Sequence, residues 1–195
     1  MLLRHAAEDP ELGYCQGMNM VAALFAVAAR SQSEAYTRFR SFTQNLRGLW
    51  KPGFPLLQQA MPCFENLAMS RPWFQHLQRN DIGPELYLPR AWLSLFASSL
   101  TLPTRVLLLR HFEQEGLASI LAVSLALLDH AGPVLLEQGD DMDEVLHVLE
   151  TLSSRAPHPA ALISARDGYL PAARAAAATA RSNTPVTPTR RPPPL

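Results

Sequence analysis

The sequence predicts an all-α fold. Apolar residues recur at three- and four-residue steps along most of the chain. Pro and Gly cluster between the periodic segments, where helices must stop. No series of strand-like segments appears, and no internal repeat. Met18, Val21, Ala22, Phe25 and Ala29 share one face of a first helix after a glycine. Residues 33–45 read as a second helix with Tyr36, Phe39 and Phe42 on one side, and 51–55 as a Pro/Gly turn. Residues 56–70 resume the period. Pro72 suits the first turn of a helix over 73–80, and 81–84 is a loop. Residues 91–100 form a short apolar segment, and Pro103 starts a helix through Phe112. Residues 117–130 are apolar nearly all round, as a central buried helix requires, and Gly132-Pro133 is expected to interrupt it. Asp140 or Asp141 is placed to cap a helix through Leu152.

Three regions follow from this pattern: a helical body over 1–154, an Ala-rich, partly helical extension over 155–181, and a Pro-rich tail over 182–195. The alanine run 172–180 is helix-prone but carries little side chain to bury. The tail has the composition of a disordered, polyproline-like segment, and its Pro185-x-x-Pro188 spacing suits an SH3-type partner.

The chain has 195 residues, 17 basic and 17 acidic side chains, and no net charge. That balance argues against a nucleic-acid partner. His5, His76, His111, His130, His147 and His158 are scattered singly, so no metal site and no cofactor is expected. Residues 140–144 read as an acidic helix start and not as a calcium loop. No Gly-rich phosphate loop is present. Cys15 and Cys63 form no disulfide framework, and Cys15 has no histidine partner in sequence. The apolar runs 20–29 and 118–128 are too short to span a bilayer, and acidic residues come too early for a signal peptide. These features predict a cytoplasmic protein.

One stretch carries unusual chemistry. Residues 13–19 read GYCQGMN, with Gln16 in a tight turn just before an apolar helix. A glutamine is neither a general acid nor a base near neutral pH. It holds a small polar group by accepting and donating at once.

Tyr14-Cys15-Gln16-Gly17-Met18-Asn19 resembles the Y-x-Q-G-M signature of TBC-domain proteins, GTPase-activating proteins for Rab GTPases. Asp9-Pro10-Glu11-Leu12-Gly13 resembles that family's approach to the motif, Pro52-Gly53-Phe54-Pro55 a later turn, and Leu93-Ser94-Leu95-Phe96-Ala97 its W-F-x-T-L-F-A helix. Residues 118–130 and 141–152 resemble its buried helix and the one after. The resemblance implies an all-α fold and a Rab-family partner carrying GTP and magnesium. It also implies peripheral attachment to membranes through that partner. The family supplies a glutamine to hold the attacking water and an arginine for charge. Gln16 matches the glutamine. Gly17 would let the backbone turn and approach closely, and Tyr14 would support the loop; Met18 and Asn19 complete the matched stretch.

Departures accompany the match. The family's arginine lies in an I-x-x-D-x-x-R motif well before its glutamine, and the 13 residues before Tyr14 contain no such motif. Arg4 lacks the Ile and Asp. The family's W-D pair stands here as Leu109-Arg110, and its helix tryptophan as Ala91, with Trp92 one place later. The expectation is a TBC-like domain lacking its first helices, with apolar surface left bare. The alternative is a non-catalytic helical scaffold or GTPase-binding module.

Overall fold

The computed structural model describes residues 1–183, and these contain eleven α-helices, two short 3-10 turns and no strand. α1 (Leu2–Glu8) leads through a turn into α2 (Met18–Ala28) and α3 (Gln32–Asn45). α3 begins on Ser31, whose Oγ accepts the Glu34 N–H at 3.1 Å, while the Glu34 carboxylate accepts the Arg30 N–H. This reciprocal arrangement is of the capping-box type. α2 and α3 meet through Phe25 and Phe42, ring centroids 5.5 Å apart, and through Phe39. Then come α4 (Pro55–Ala68), α5 (Pro72–Arg79), α6 (Leu88–Leu93) and α7 (Leu102–Glu115). Each has a proline in its first turn, where the missing N–H costs no helical bond.

α8 (Leu117–Glu137) is the centre of the molecule. It packs against α5 and α7, and against α9 (Met142–Glu150), α10 (Leu152–Arg155) and α11 (Pro159–Asn183). By length and apolar content it could cross a bilayer, beyond the 118–128 run read from sequence, but 72% of its apolar window is enclosed by this fold. Asp141 caps α9, its Oδ1 accepting the N–H groups of Asp143 and Glu144. α9 ends at Glu150, with α10 as a separate turn after Thr151.

Gly132-Pro133 does not end the helix. Pro133 withholds one backbone bond, but Gly132 opens a space that Trp73 fills: a Cβ there would lie 2.9 Å from Trp73 Cδ1. Trp73 Nε1 donates to Asp129 Oδ1 at 2.6 Å. Asp129 also pairs with Arg71 at 2.9 Å and accepts from the Tyr169 hydroxyl, so α5, α8 and α11 share one carboxylate. This packing and bonding hold the helix through a sequence that would break it in isolation.

The Ala-rich stretch also departs from expectation. Leu162, Ala173, Ala177 and Ala180 of α11 are buried, and α11 packs on α8, α4 and α7. Small side chains bury little themselves, but they let two helices come close, and the leucines of α8 supply the area. Ser182 and Asn183 close this helix, so they are not tail. The rest of the tail, including Pro185 and Pro188, lies outside the described residues. Exposed apolar side chains occur on other elements: Leu3 (90% exposed), Val27 (60%) and Leu107 (55%).

Candidate functional site

The approach to the glutamine turn is held by charge. Asp9 accepts both Nη groups of Arg47, the Gln44 amide at 2.7 Å and the Leu12 N–H at 3.2 Å. Glu11 pairs with Arg47 and Lys51, each at 2.8 Å. The Arg47 guanidinium is the main cause that holds Asp9 down at about 2. A depressed carboxylate stabilises the fold above its unfolded value near 3.9 and loses that contribution as pH falls towards the folded value. Asp9→Asn is therefore expected to lower stability by about 1 kcal/mol at pH 6, allowing for screening of a pair that still touches water. The difference from wild type should close between about pH 4 and pH 2. Denaturant titrations of both proteins across that range check this; a difference independent of pH would mean that shape, not charge, is what Asp9 contributes.

The turn itself is built by two glycines. Gly13 has φ 60° and its N–H reaches the Asp9 carbonyl at 2.8 Å. Gly17 caps α2 with φ 99°, and a Cβ there would sit 2.6 Å from the Leu93 carbonyl oxygen. That same carbonyl accepts Trp50 Nε1 at 3.1 Å. Met18 plunges into the core, fully buried, and its sulfur accepts the Cys15 N–H at 3.3 Å.

The opposing wall comes from the end of α6 and the turn after it. The family resemblance implies helix over residues 93–97; the structure ends α6 at Leu93. Leu95 (φ 48°) and Phe96 (φ 59°) turn left-handed, and the Phe96 N–H returns to the Ala91 carbonyl at 2.6 Å. Two non-glycine residues in that conformation each cost about 1–2 kcal/mol. Both side chains are almost completely buried, and Phe96 stacks on Phe112, which offsets the cost. Arg105 of α7 secures the turn from beneath. Only 5% exposed, it donates Nε to the Leu95 carbonyl at 2.8 Å. Its Nη2 reaches the Ser94 carbonyl at 2.8 Å and the Met20 carbonyl at 3.1 Å. It thus ties both walls together.

Between them lies an open groove of about 760 Å3. Tyr14, Gln16, Gly17, Asn19 and Met20 line one side; Arg90, Leu93, Ser94, Ala97 and Ser98 line the other. Gln16 is exposed, and its amide has no hydrogen-bond partner among the described residues. Tyr14, 56% exposed, stands at the mouth. Of the residues singled out from sequence, Tyr14, Gln16, Gly17 and Asn19 meet on the groove. Met18 does not: it is core, and it acts on the turn only through Cys15. Burial pushes the Cys15 thiol up, which disfavours the reactive thiolate. Arg4 stacks on Tyr36 at 4.1 Å, pairs with Glu8 at 2.7 Å, and borders clefts that include none of residues 14–20.

Sequence reasoning missed Arg90, Ser94, Ser98 and Arg105. Ser94 and Ser98 sit in the 91–100 segment read only as short and apolar, and Arg90 falls just before it. Arg105 left a signal: it falls three, four and seven residues before Leu108, Leu109 and Phe112, hence on their buried face.

Residues 2–136, from α1 to the last turn of α8, match the family described as the Rab-GTPase-TBC domain. The chain belongs to that family. It is similar to TBC1 domain family member 1 of Homo sapiens, 28% identical over 155 residues, a stretch that is 77% of this chain and 13% of the human protein. It is 30% identical over 134 residues to Rab GTPase-activating protein tbc-11 of Caenorhabditis elegans, covering 66% of this chain and 14% of that protein. Carabin of Mus musculus is 31% identical over 121 residues, 61% of this chain and 27% of the relative. The chain thus spans a small part of each of these relatives. The TBC match contains both walls of the groove, while α9 to α11 lie beyond the matched residues.

Proposed function

We propose that this TBC domain binds a Rab-type GTPase over the groove and promotes hydrolysis of its GTP, with Gln16 holding the attacking water. The observation that carries the reading is an exposed, unengaged amide on a backbone pinned by Gly17 and Leu93. Its carbonyl accepts from the water and its NH2 donates towards the phosphates, where a carboxylate would repel them. Both the GTP and its magnesium belong to the partner GTPase. Such a partner would bring the protein to the cytoplasmic face of a membrane.

The second reading is a GTPase-binding module with little catalysis; none of the 195 residues of this chain falls in an I-x-x-D-x-x-R motif. An arginine finger is worth about 10³–10⁵ in rate. Single-turnover GTP hydrolysis across a panel of Rab GTPases separates the two. The expected result is an acceleration of at least one Rab, well below that factor. Binding to a GTP-loaded Rab with no acceleration would leave only the module, and no binding to any would defeat both.

A further inference from the structure

We propose that Arg90 is a binding group of the same groove, pairing with an anionic oxygen presented by the docked GTPase complex. This rests on reading the groove as the GTPase site.

Among the described residues, one charged side chain, Arg90, and no carboxylate line the groove. Its other polar groups are amides and hydroxyls. Most arginines with a strong neighbour in this protein meet an acid: Arg38 pairs with Glu113 at 2.7 Å, and Arg71 with Asp129 at 2.9 Å. Arg105 spends its donors on carbonyls. Arg90 is exposed and its guanidinium has no partner among the described residues; its backbone carbonyl accepts Ser94 Oγ at 2.7 Å.

The backbone beneath it is rigid. Leu88, Ala91 and Trp92 are buried around it, and Trp92 Nε1 donates to Ser124 Oγ of α8 at 2.8 Å. A free guanidinium on a fixed base, beside an uncharged polar groove, is suited to a planar anion. Its fork geometry takes two oxygens at once, and no internal ion pair must break first. Two sources present such oxygens: the phosphates of the bound nucleotide and a carboxylate on the GTPase surface.

The test uses the whole chain with Arg90→Ala, Arg90→Lys and Gln16→Ala, and the Rab that responds most strongly in the panel. Binding is measured to that Rab loaded with a non-hydrolysable GTP analogue, and to the same Rab with GDP and aluminium fluoride; single-turnover rates are measured alongside. Arg90→Ala is expected to reduce one of these by about tenfold or more, with the melting temperature unchanged, and Arg90→Lys to recover part. Loss confined to the fluoride complex and the saturating rate identifies phosphate. Loss of affinity for the analogue complex as well, abolished when one Asp or Glu beside the nucleotide of the Rab is replaced by its amide, identifies a carboxylate. Wild-type affinity and rate in Arg90→Ala, with Gln16→Ala still slow, would overturn the proposal and leave the glutamine reading standing. A weakened Arg90→Ala beside an unimpaired Gln16→Ala would support Arg90 and remove the glutamine's catalytic role. A loss in Arg90→Ala that comes with a lowered melting temperature and does not vary with salt would overturn a role for charge.

Discussion

Gln16→Ala is expected to lower the stimulated rate of GTP hydrolysis in a responsive Rab by about 10²–10³-fold, the typical loss for one positioned transition-state group. Affinity for the GTP-loaded Rab should change little. The bonds that Gln16 would make to the water strengthen as the water attacks, so chemistry suffers more than binding. The structure sharpens what stability should do. A glutamine that tied down its own turn would leave a buried partner unpaired on removal, at about 1–3 kcal/mol. Gln16 is exposed and its amide holds nothing among the described residues, so no such cost is expected. Melting temperature and single-turnover rate on the same variant read the two effects separately. A variant that melts several degrees earlier yet hydrolyses as fast as its parent would leave the water-holding role without support.

Gly17→Ala is expected to cost both. Its φ of 99° is strained for any side chain, and the new Cβ would press on the Leu93 carbonyl oxygen at 2.6 Å. The backbone contributes about 1–2 kcal/mol and the overlap a similar amount. A total near 3 kcal/mol lowers the melting temperature by about 6–12 °C in a chain of this size. The Leu93 carbonyl cannot simply retreat, because Trp50 holds it and Arg105 holds the next two. The strain is therefore relieved on the motif side, which moves Gln16, and the rate should fall with it. Gly53→Ala is the control. Gly53 also has positive φ, at 79°, but nothing lies within 4 Å of its added Cβ. It should show the backbone cost alone and keep its rate. Equal destabilisation by the two substitutions would mean that the Leu93 contact does not seat the turn.

Much of this was legible in the chain because it depends on near neighbours. Helix faces such as Phe25 against Phe39 and Phe42, the Asp141 cap, and the first-turn prolines follow from spacing and local backbone chemistry. The turn around Gln16 was visible too, because a Gly on each side announces unusual φ angles. By itself the sequence determined an all-helical chain and one amide in a tight turn. The tertiary structure decided which surface that amide meets. Arg90 and Ser98 stand more than 70 residues away in sequence, and only packing of the α6 end against Gly17 makes them the other wall. It also decided that α8 runs through Gly132-Pro133 and that an alanine run becomes core. A Gly or Pro inside a helix costs about 1–3 kcal/mol, whereas a helix enclosed on all sides gains a comparable amount from each buried leucine. Where the two conflict, burial between elements distant in sequence prevails, and no local pattern announces it.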